Sequence, residues 1–250
     1  MTLRDETVHA KKTITILRPQ LLKDRCKTQY NVIACGSIRG GTSAMGLTLR
    51  TLGYFMGRDV HEFTHEDIEF IDAVQTEDVF TIAALIKRRN IENPGWCLKL
   101  PSVLTLLEVF DENANAPIFL IVTRNQFSVA KSLVRRDERF IGAKVSDYVA
   151  AYEHADLYLN EIRKIVYLKA PAIICEYEEM LKHPGLFIEE LASALNLKIN
   201  SDVFERLRKL IGEKDYKTVD GVLAGETDQL LSPTPNSWIQ KLKQRVLNNF

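Results

Sequence analysis

Residues 35–43 read Cys-Gly-Ser-Ile-Arg-Gly-Gly-Thr-Ser and follow directly on the apolar run Val32-Ile33-Ala34. A buried strand that runs into a glycine-rich turn and then a helix constrains the chain more than any other stretch. Backbone N–H groups at such a turn and helix start point at one place and favour an anion there. Gly36 and Gly41 have the glycine spacing of the phosphate-cradling pattern G-x-x-x-x-G-K-[ST]. Thr42 stands where that pattern has its lysine, and Ser43 keeps the hydroxyl. Without a lysine reaching the β- and γ-phosphates, ATP chemistry is disfavoured, and a different phosphorylated donor is expected.

Short apolar runs alternate with longer helical patterns through the rest of the chain. Strands are expected over Asn31–Cys35, Trp96–Leu100, Ile118–Thr123 and Ala172–Cys175, with an extra one near Thr13–Leu17. Continuous apolar runs of this length imply strands buried on both faces, hence a doubly wound, mostly parallel sheet with helices on both faces. Helices are expected near Ser43–Leu52, Glu66–Gln75, Val103–Phe110, Phe127–Arg139, Asp147–Val166 and Pro184–Asn196. In the fifth, Tyr148, Tyr152, Ala155, Leu159, Ile162 and Val166 make one apolar stripe, with Ser146 as N-cap. Trp238, Leu242, Val246 and Phe250 make another stripe at the end of the chain. A single domain over 1–250 is expected, with its core at about 31–197 and a C-terminal helical region over 198–250.

Composition narrows the partners. The 33 basic and 33 acidic residues cancel, so neither nucleic acid nor an anionic membrane has global electrostatic support. No run approaches the roughly 20 apolar residues of a membrane span, and the first twelve residues have no apolar signal core, so a cytoplasmic protein is expected. The four cysteines (Cys26, Cys35, Cys97, Cys175) form no zinc-type spacing and read as reduced thiols, three of them in expected strands. No metal-ligand cluster is visible in the sequence.

A second informative segment runs from Ile118 to Arg139. A buried strand ends at Thr123, Arg124 follows at its carboxyl end, and Ser132 lies in the early turns of the next helix. Ligands of open α/β sheets bind at the carboxyl ends of strands, where Arg124 would offer a planar fork to a phosphate and Ser132 a hydroxyl. Pairing of Arg124 with a carboxylate is the plainer alternative. Two anion-seeking features at two strand ends suggest a donor with two separated anionic groups.

These segments resemble the sulfotransferases that use 3′-phosphoadenosine 5′-phosphosulfate (PAPS). Arg39-Gly40-Gly41-Thr42-Ser43 is similar to that family's 5′-phosphosulfate loop, and Arg124-Asn125 with Ser132 is similar to its 3′-phosphate motif. Trp96 to Pro101 resembles the strand that ends in K-x-P, and Cys175 to Leu181 with Pro184 resembles a Y-E-D-L segment. Leu52 to Gly57 resembles bacterial members, and the likeness runs from about Asn31 to Leu197.

The resemblance implies a P-loop-kinase-like sulfotransferase fold, PAPS as donor, PAP (3′-phosphoadenosine 5′-phosphate) as product, no metal, and a hydroxyl of a small molecule or saccharide as acceptor. It implies that Arg39, Gly40, Gly41, Thr42 and Ser43 hold the phosphosulfate, that Arg124 and Ser132 hold the 3′-phosphate, and that Lys99 is a second cation at the transferring group. Relatives that act on phenols and hormones have a histidine where Pro101 stands, so the base must come from elsewhere. His61-Glu62-Phe63-Thr64-His65-Glu66-Asp67 offers Glu66 first, then His65 and His61. The same stretch also reads as a Thr64-x-x-Asp67 capping box, which would make Asp67 structural. Lys214 to Gly225 is a candidate loop over the 3′-phosphate. Lys87-Arg88-Arg89 and Arg135-Arg136 read as solvated helix faces, or as contacts for an anionic acceptor. A nucleotide-dependent kinase and a non-catalytic nucleotide-binding protein are the competing readings. The acceptor's identity and the oligomeric state, a homo-oligomer included, stay open.

Overall fold

A computed structural model of the protein describes residues 12–76, 78–141 and 146–212. In chain order the strands are β1 (Ile14–Leu17), β2 (Val32–Gly36), β3 (Cys97–Lys99), β4 (Ile118–Thr123) and β5 (Ala172–Glu176). The α-helices are α1 (Pro19–Arg25), α2 (Thr42–Thr51), α3 (Ile68–Gln75), α4 (Val79–Glu92), α5 (Leu107–Asn113), α6 (Gln126–Ile141), α7 (Ser146–Arg163), α8 (Tyr177–Lys182), α9 (Pro184–Ala194) and α10 (Ser201–Gly212). Short 3₁₀ turns lie at Pro101–Thr105 and Lys164–Tyr167.

The five strands form one sheet in the order β1-β5-β4-β2-β3. All neighbours run parallel except β1, which pairs antiparallel with β5 at the edge. That edge strand is also tied from the side: the Thr13 amide and hydroxyl donate to the Glu190 carboxylate of α9 at 2.8 and 2.6 Å. Alternation along β2 shows why helices cover both faces. Ile33 and Cys35 join a core with Phe70 of α3, Ile82 and Ile86 of α4, Phe110 of α5 and Tyr158 of α7. Val32 and Ala34 join the other, with Met45 and Leu49 of α2, Met180 of α8, Leu191 of α9 and Leu207 of α10. The sheet is thus the middle layer of a mixed α/β architecture, as the continuous apolar runs require.

Strand order also marks a candidate ligand crevice. The chain leaves β2 toward β3 on one side, and leaves β4 toward β5 on the other. The carboxyl ends of β2 and β4, paired as far as Gly36 and Val122, therefore flank a topological switch point, where open α/β sheets bind ligands.

Several expectations need correction. α3 begins at Ile68, and its N-cap is Asp67, whose side chain accepts from the Glu69 amide. Thr64 caps nothing: its buried hydroxyl has no hydrogen-bond partner. The expected helix over Val103–Phe110 is a 3₁₀ turn followed by α5, because Pro101 starts a tight turn and Leu106 leaves helical geometry. Val166 is exposed, since the chain tightens to 3₁₀ before it and Ile165 turns inward instead. Arg89 is buried rather than solvated, because two carboxylates meet it. Cys35, Cys97 and Cys175 are buried free thiols, and burial pushes their pKa values well up. The stripe at Trp238–Phe250 and the Lys214–Gly225 segment lie outside the described residues. Among the described residues, no helix is long and apolar enough to cross a membrane.

Candidate active site

The turn after β2 is shaped by close approaches that exclude side chains. A Cβ on Gly36 would sit 2.4 Å from the Val122 carbonyl oxygen of β4, so only glycine lets the two strands end side by side. The Gly40 amide then donates to the Ser37 carbonyl at 2.8 Å, which closes the turn. Gly41 is the N-cap of α2, with φ 97° and no side-chain cap. A helix start of this kind leaves its first amides, those of Thr42 and Ser43, without intrahelical partners at the positive end of the dipole, while the Ala44 amide donates to the Gly41 carbonyl at 3.1 Å. Thr42 is buried, and its methyl packs 3.2 Å from where a Gly36 Cβ would be. The residue in the lysine place of a nucleotide-triphosphate loop therefore packs inside the turn.

Arg39 sits in the left-handed region, φ 64°, a conformation unfavourable for a side chain with a Cβ. Its carbonyl accepts from Arg124 Nη1 at 2.8 Å, which fixes that geometry from the end of β4. Its own Nε donates to the Ser132 hydroxyl of α6 at 3.2 Å. The structure thus brings Arg39, Arg124 and Ser132 together, although 85 and 93 residues separate the bonded partners.

Two side chains of the Cys175–Leu181 segment, Tyr177 and Glu178, complete this cluster. The Arg124 guanidinium lies 4.8 Å over the Tyr177 ring, a cation–π contact. The same ring packs against the loop so closely that a Cβ on Gly41 would be 2.1 Å away. Glu178 accepts from the Asn125 amide at 3.1 Å and lies 3.9 Å from Arg124 Nε. Tyr177 and Glu178 thus brace the arginine, and Glu178 also fixes the start of α6.

The second cluster gathers the remaining candidates. Lys99, at the end of β3, is 1% exposed. Its Nζ donates to the Thr64 carbonyl at 2.9 Å and to Glu66 Oε1 at 2.5 Å. The stem of Lys99 lies along α2, where a Cβ on Gly46 would meet its Cγ at 3.3 Å and His65 Cβ at 2.9 Å. Gly46 was not singled out from sequence; a glycine inside an otherwise good helix was the available signal. His65 has φ 58° and is 7% exposed. Burial, then the positive charges of Lys99 and Arg50 and the neighbouring His61, push its pKa down to about 4. A neutral imidazole with so low a pKa is a weaker proton acceptor than one poised near 7. His61 is engaged in shaping the loop: its Nδ1 accepts from the Phe63 and Thr64 amides at 3.3 and 3.1 Å. Glu66 is the candidate base that carries an ion pair with a lysine.

The two clusters sit at two points along one helix. The first surrounds the N-terminus of α2, and the second surrounds Gly46, about 7.5 Å further on at the α-helical rise. Among the described residues, no group of three or more His, Cys, Asp or Glu is arranged to hold a metal ion.

No family model matches the chain, and no curated protein matches it. Among solved structures, the chain is similar to the mouse sulfotransferase SULT7A1 complexed with PAP, with 12% identity and a TM-score of 0.48, covering 79% of this chain and 71% of that one. It is similar also to the sulfotransferase domain from the curacin biosynthetic pathway, with 19% identity and a TM-score of 0.45, covering 70% of this chain and 76% of that one.

Proposed function

We propose that the protein transfers a sulfuryl group from PAPS to a hydroxyl of a small-molecule or saccharide acceptor. The observation that carries the reading is the convergence of Arg39, Arg124 and Ser132 on the glycine turn, at the switch point between β2 and β4. An arginine fork and a serine hydroxyl beside a helix N-terminus suit a ligand with two anionic ends. Arg124 is held at this point by its bond to the Arg39 carbonyl and by Tyr177 and Glu178, which presets the guanidinium assigned to the 3′-phosphate.

In this reading Gly40, Gly41, Thr42 and Ser43 present the loop to the phosphosulfate, and Arg39 supplies the cation. A new bond forms from the acceptor oxygen to sulfur as the bond from sulfur to the bridging phosphate oxygen breaks. The electron pair leaves with PAP, where the loop amides and Arg39 stabilise the developing charge. Glu66 takes the acceptor proton. Lys99, held between Glu66 and the Thr64 carbonyl, orients that carboxylate and lends positive charge to the reacting group.

The test is a pair of binding titrations on Arg124→Ala. The variant should bind PAP on the order of 10- to 100-fold more weakly, the loss of a charge-assisted contact, and 5′-AMP, which loses only the support Arg124 gives the Arg39 turn, by a clearly smaller factor. Equal losses for both ligands would remove Arg124 from the 3′-phosphate site. Label moving from ³⁵S-PAPS to hydroxyl acceptors then tests transfer itself.

A further inference from the structure

The basic run on α4 divides between surface and interior. Arg88 stays at the surface with Glu69, whereas Arg89 is 3% exposed. Its Nη2 donates to Asp67 Oδ2 and to Glu69 Oε2, each at 2.8 Å. Its guanidinium lies 5.5 Å from the Phe55 ring centre and 5.8 Å from that of Phe70. Burying an arginine is unfavourable unless its partners are well placed, and Ile82, Leu85 and Ile86 already give α4 an apolar inner face.

What Arg89 holds is Asp67, the residue after Glu66. Asp67 Oδ1 accepts from the Glu69 amide at 3.0 Å and so caps α3. Gly57 closes over it: a Cβ there would lie 2.6 Å from Asp67 Cγ. Val60 and Asp67 pair as an antiparallel bridge, and the Glu66 carbonyl accepts from the His61 amide at 2.8 Å. Burial pushes the Asp67 carboxyl up, and the Arg89 charge opposes that shift. The backbone on both sides of the Glu66 side chain is therefore fixed, with Arg89 as the buried anchor behind it.

We infer that Arg89 is a positioning residue for Glu66, acting through Asp67 to hold the Glu66 carboxylate on Lys99. The inference rests on the proposed role of Glu66 for its catalytic consequence, though not for the geometry.

The experiment uses the full chain with Arg89→Lys, which keeps the charge and loses the planar guanidinium that places Nη2 between the two carboxylates and lies against Phe55 and Phe70. Three quantities are read: PAP affinity, release of PAP from PAPS with water as acceptor, and the ¹⁵N resonance of Lys99 Nζ. The expected result is PAP affinity within about twofold of the original. PAP release falls about tenfold or more, as for a misplaced catalytic group, and the Lys99 resonance moves toward its position in Glu66→Ala. In a Glu66→Ala background, Arg89→Lys should slow release no further. An unmoved resonance overturns the inference, as does PAP affinity falling in step with release. If Arg89→Lys does not fold, Glu69→Gln removes one of the two carboxylates at a half-exposed position, and the resonance must still shift in the same direction. A shifted resonance with unchanged release would uphold the positioning role and refute Glu66 as the base.

Discussion

Lys99 Nζ lies 2.5 Å from the Glu66 carboxylate, and the two side chains are unequally buried: 1% of the lysine and 17% of the glutamate are exposed. In the intact pair the lysine is closed off from solvent, whereas the glutamate has a partial path to water. The pair therefore ties β3 to the loop before α3 and sets different consequences for losing each member.

Glu66→Ala leaves the buried ammonium with the Thr64 carbonyl as its remaining acceptor, and should destabilise the protein by about 3 kcal/mol. Lys99→Met fills the same space with an apolar chain and leaves a carboxylate that can hydrate, so its loss should be less than half of that. Urea unfolding of both variants measures the difference. Equal losses would show that Lys99 is not the confined partner.

Gly46 gives a prediction of opposite sign to helix propensity. In an ordinary helix interior, glycine to alanine stabilises by about 1 kcal/mol. Here the new methyl would lie 2.9 Å from His65 Cβ, a backbone-proximal atom with little room to yield. Gly46→Ala should therefore destabilise by about 1–3 kcal/mol, as overpacking does, and should disturb the Lys99–Glu66 pair. A stabilised variant would mean that α2 and the His65 loop are further apart.

His65 makes stability depend on pH. Its folded pKa, about 4, lies below the value of 6.5 expected in the unfolded chain. Between those values the unfolded chain binds a proton at this site and the folded protein does not. Its contribution is complete above pH 6.5 and is lost as the pH falls toward 4, on the order of 3 kcal/mol. His65→Asn, which tolerates the left-handed backbone, should flatten the fall in melting temperature over this window. The same slope in both proteins would contradict the burial of a neutral imidazole.

Sequence periodicity carried the sheet and left out helices whose signal was mixed. The apolar runs marked the strands because both faces of each parallel strand are covered, which leaves no polar alternation to misread. α4 was missed although Asp78 caps it and Ile82, Leu85, Ile86 and Arg89 form its inner face. Phe80 and Ile91 stand exposed on the same helix, 86% and 80%, and blur its stripe, and the buried Arg89 reads as polar. α8 and α1 are too short for periodicity to register. In the site, the loop glycines and Arg124 were legible because their geometry is local to a strand end. Tyr177 under Gly41, Gly46 beside His65, and Arg89 on Asp67 are contacts between distant segments, which spacing along the chain does not encode.

The central claim is the donor, and calorimetric titration with PAP and, in parallel, with ADP tests it most directly. The account predicts micromolar PAP binding and a sharp loss for ADP, which lacks the 3′-phosphate assigned to Arg124 and Ser132. ADP binding equal to or tighter than PAP binding would contradict that assignment and favour a nucleotide-dependent kinase.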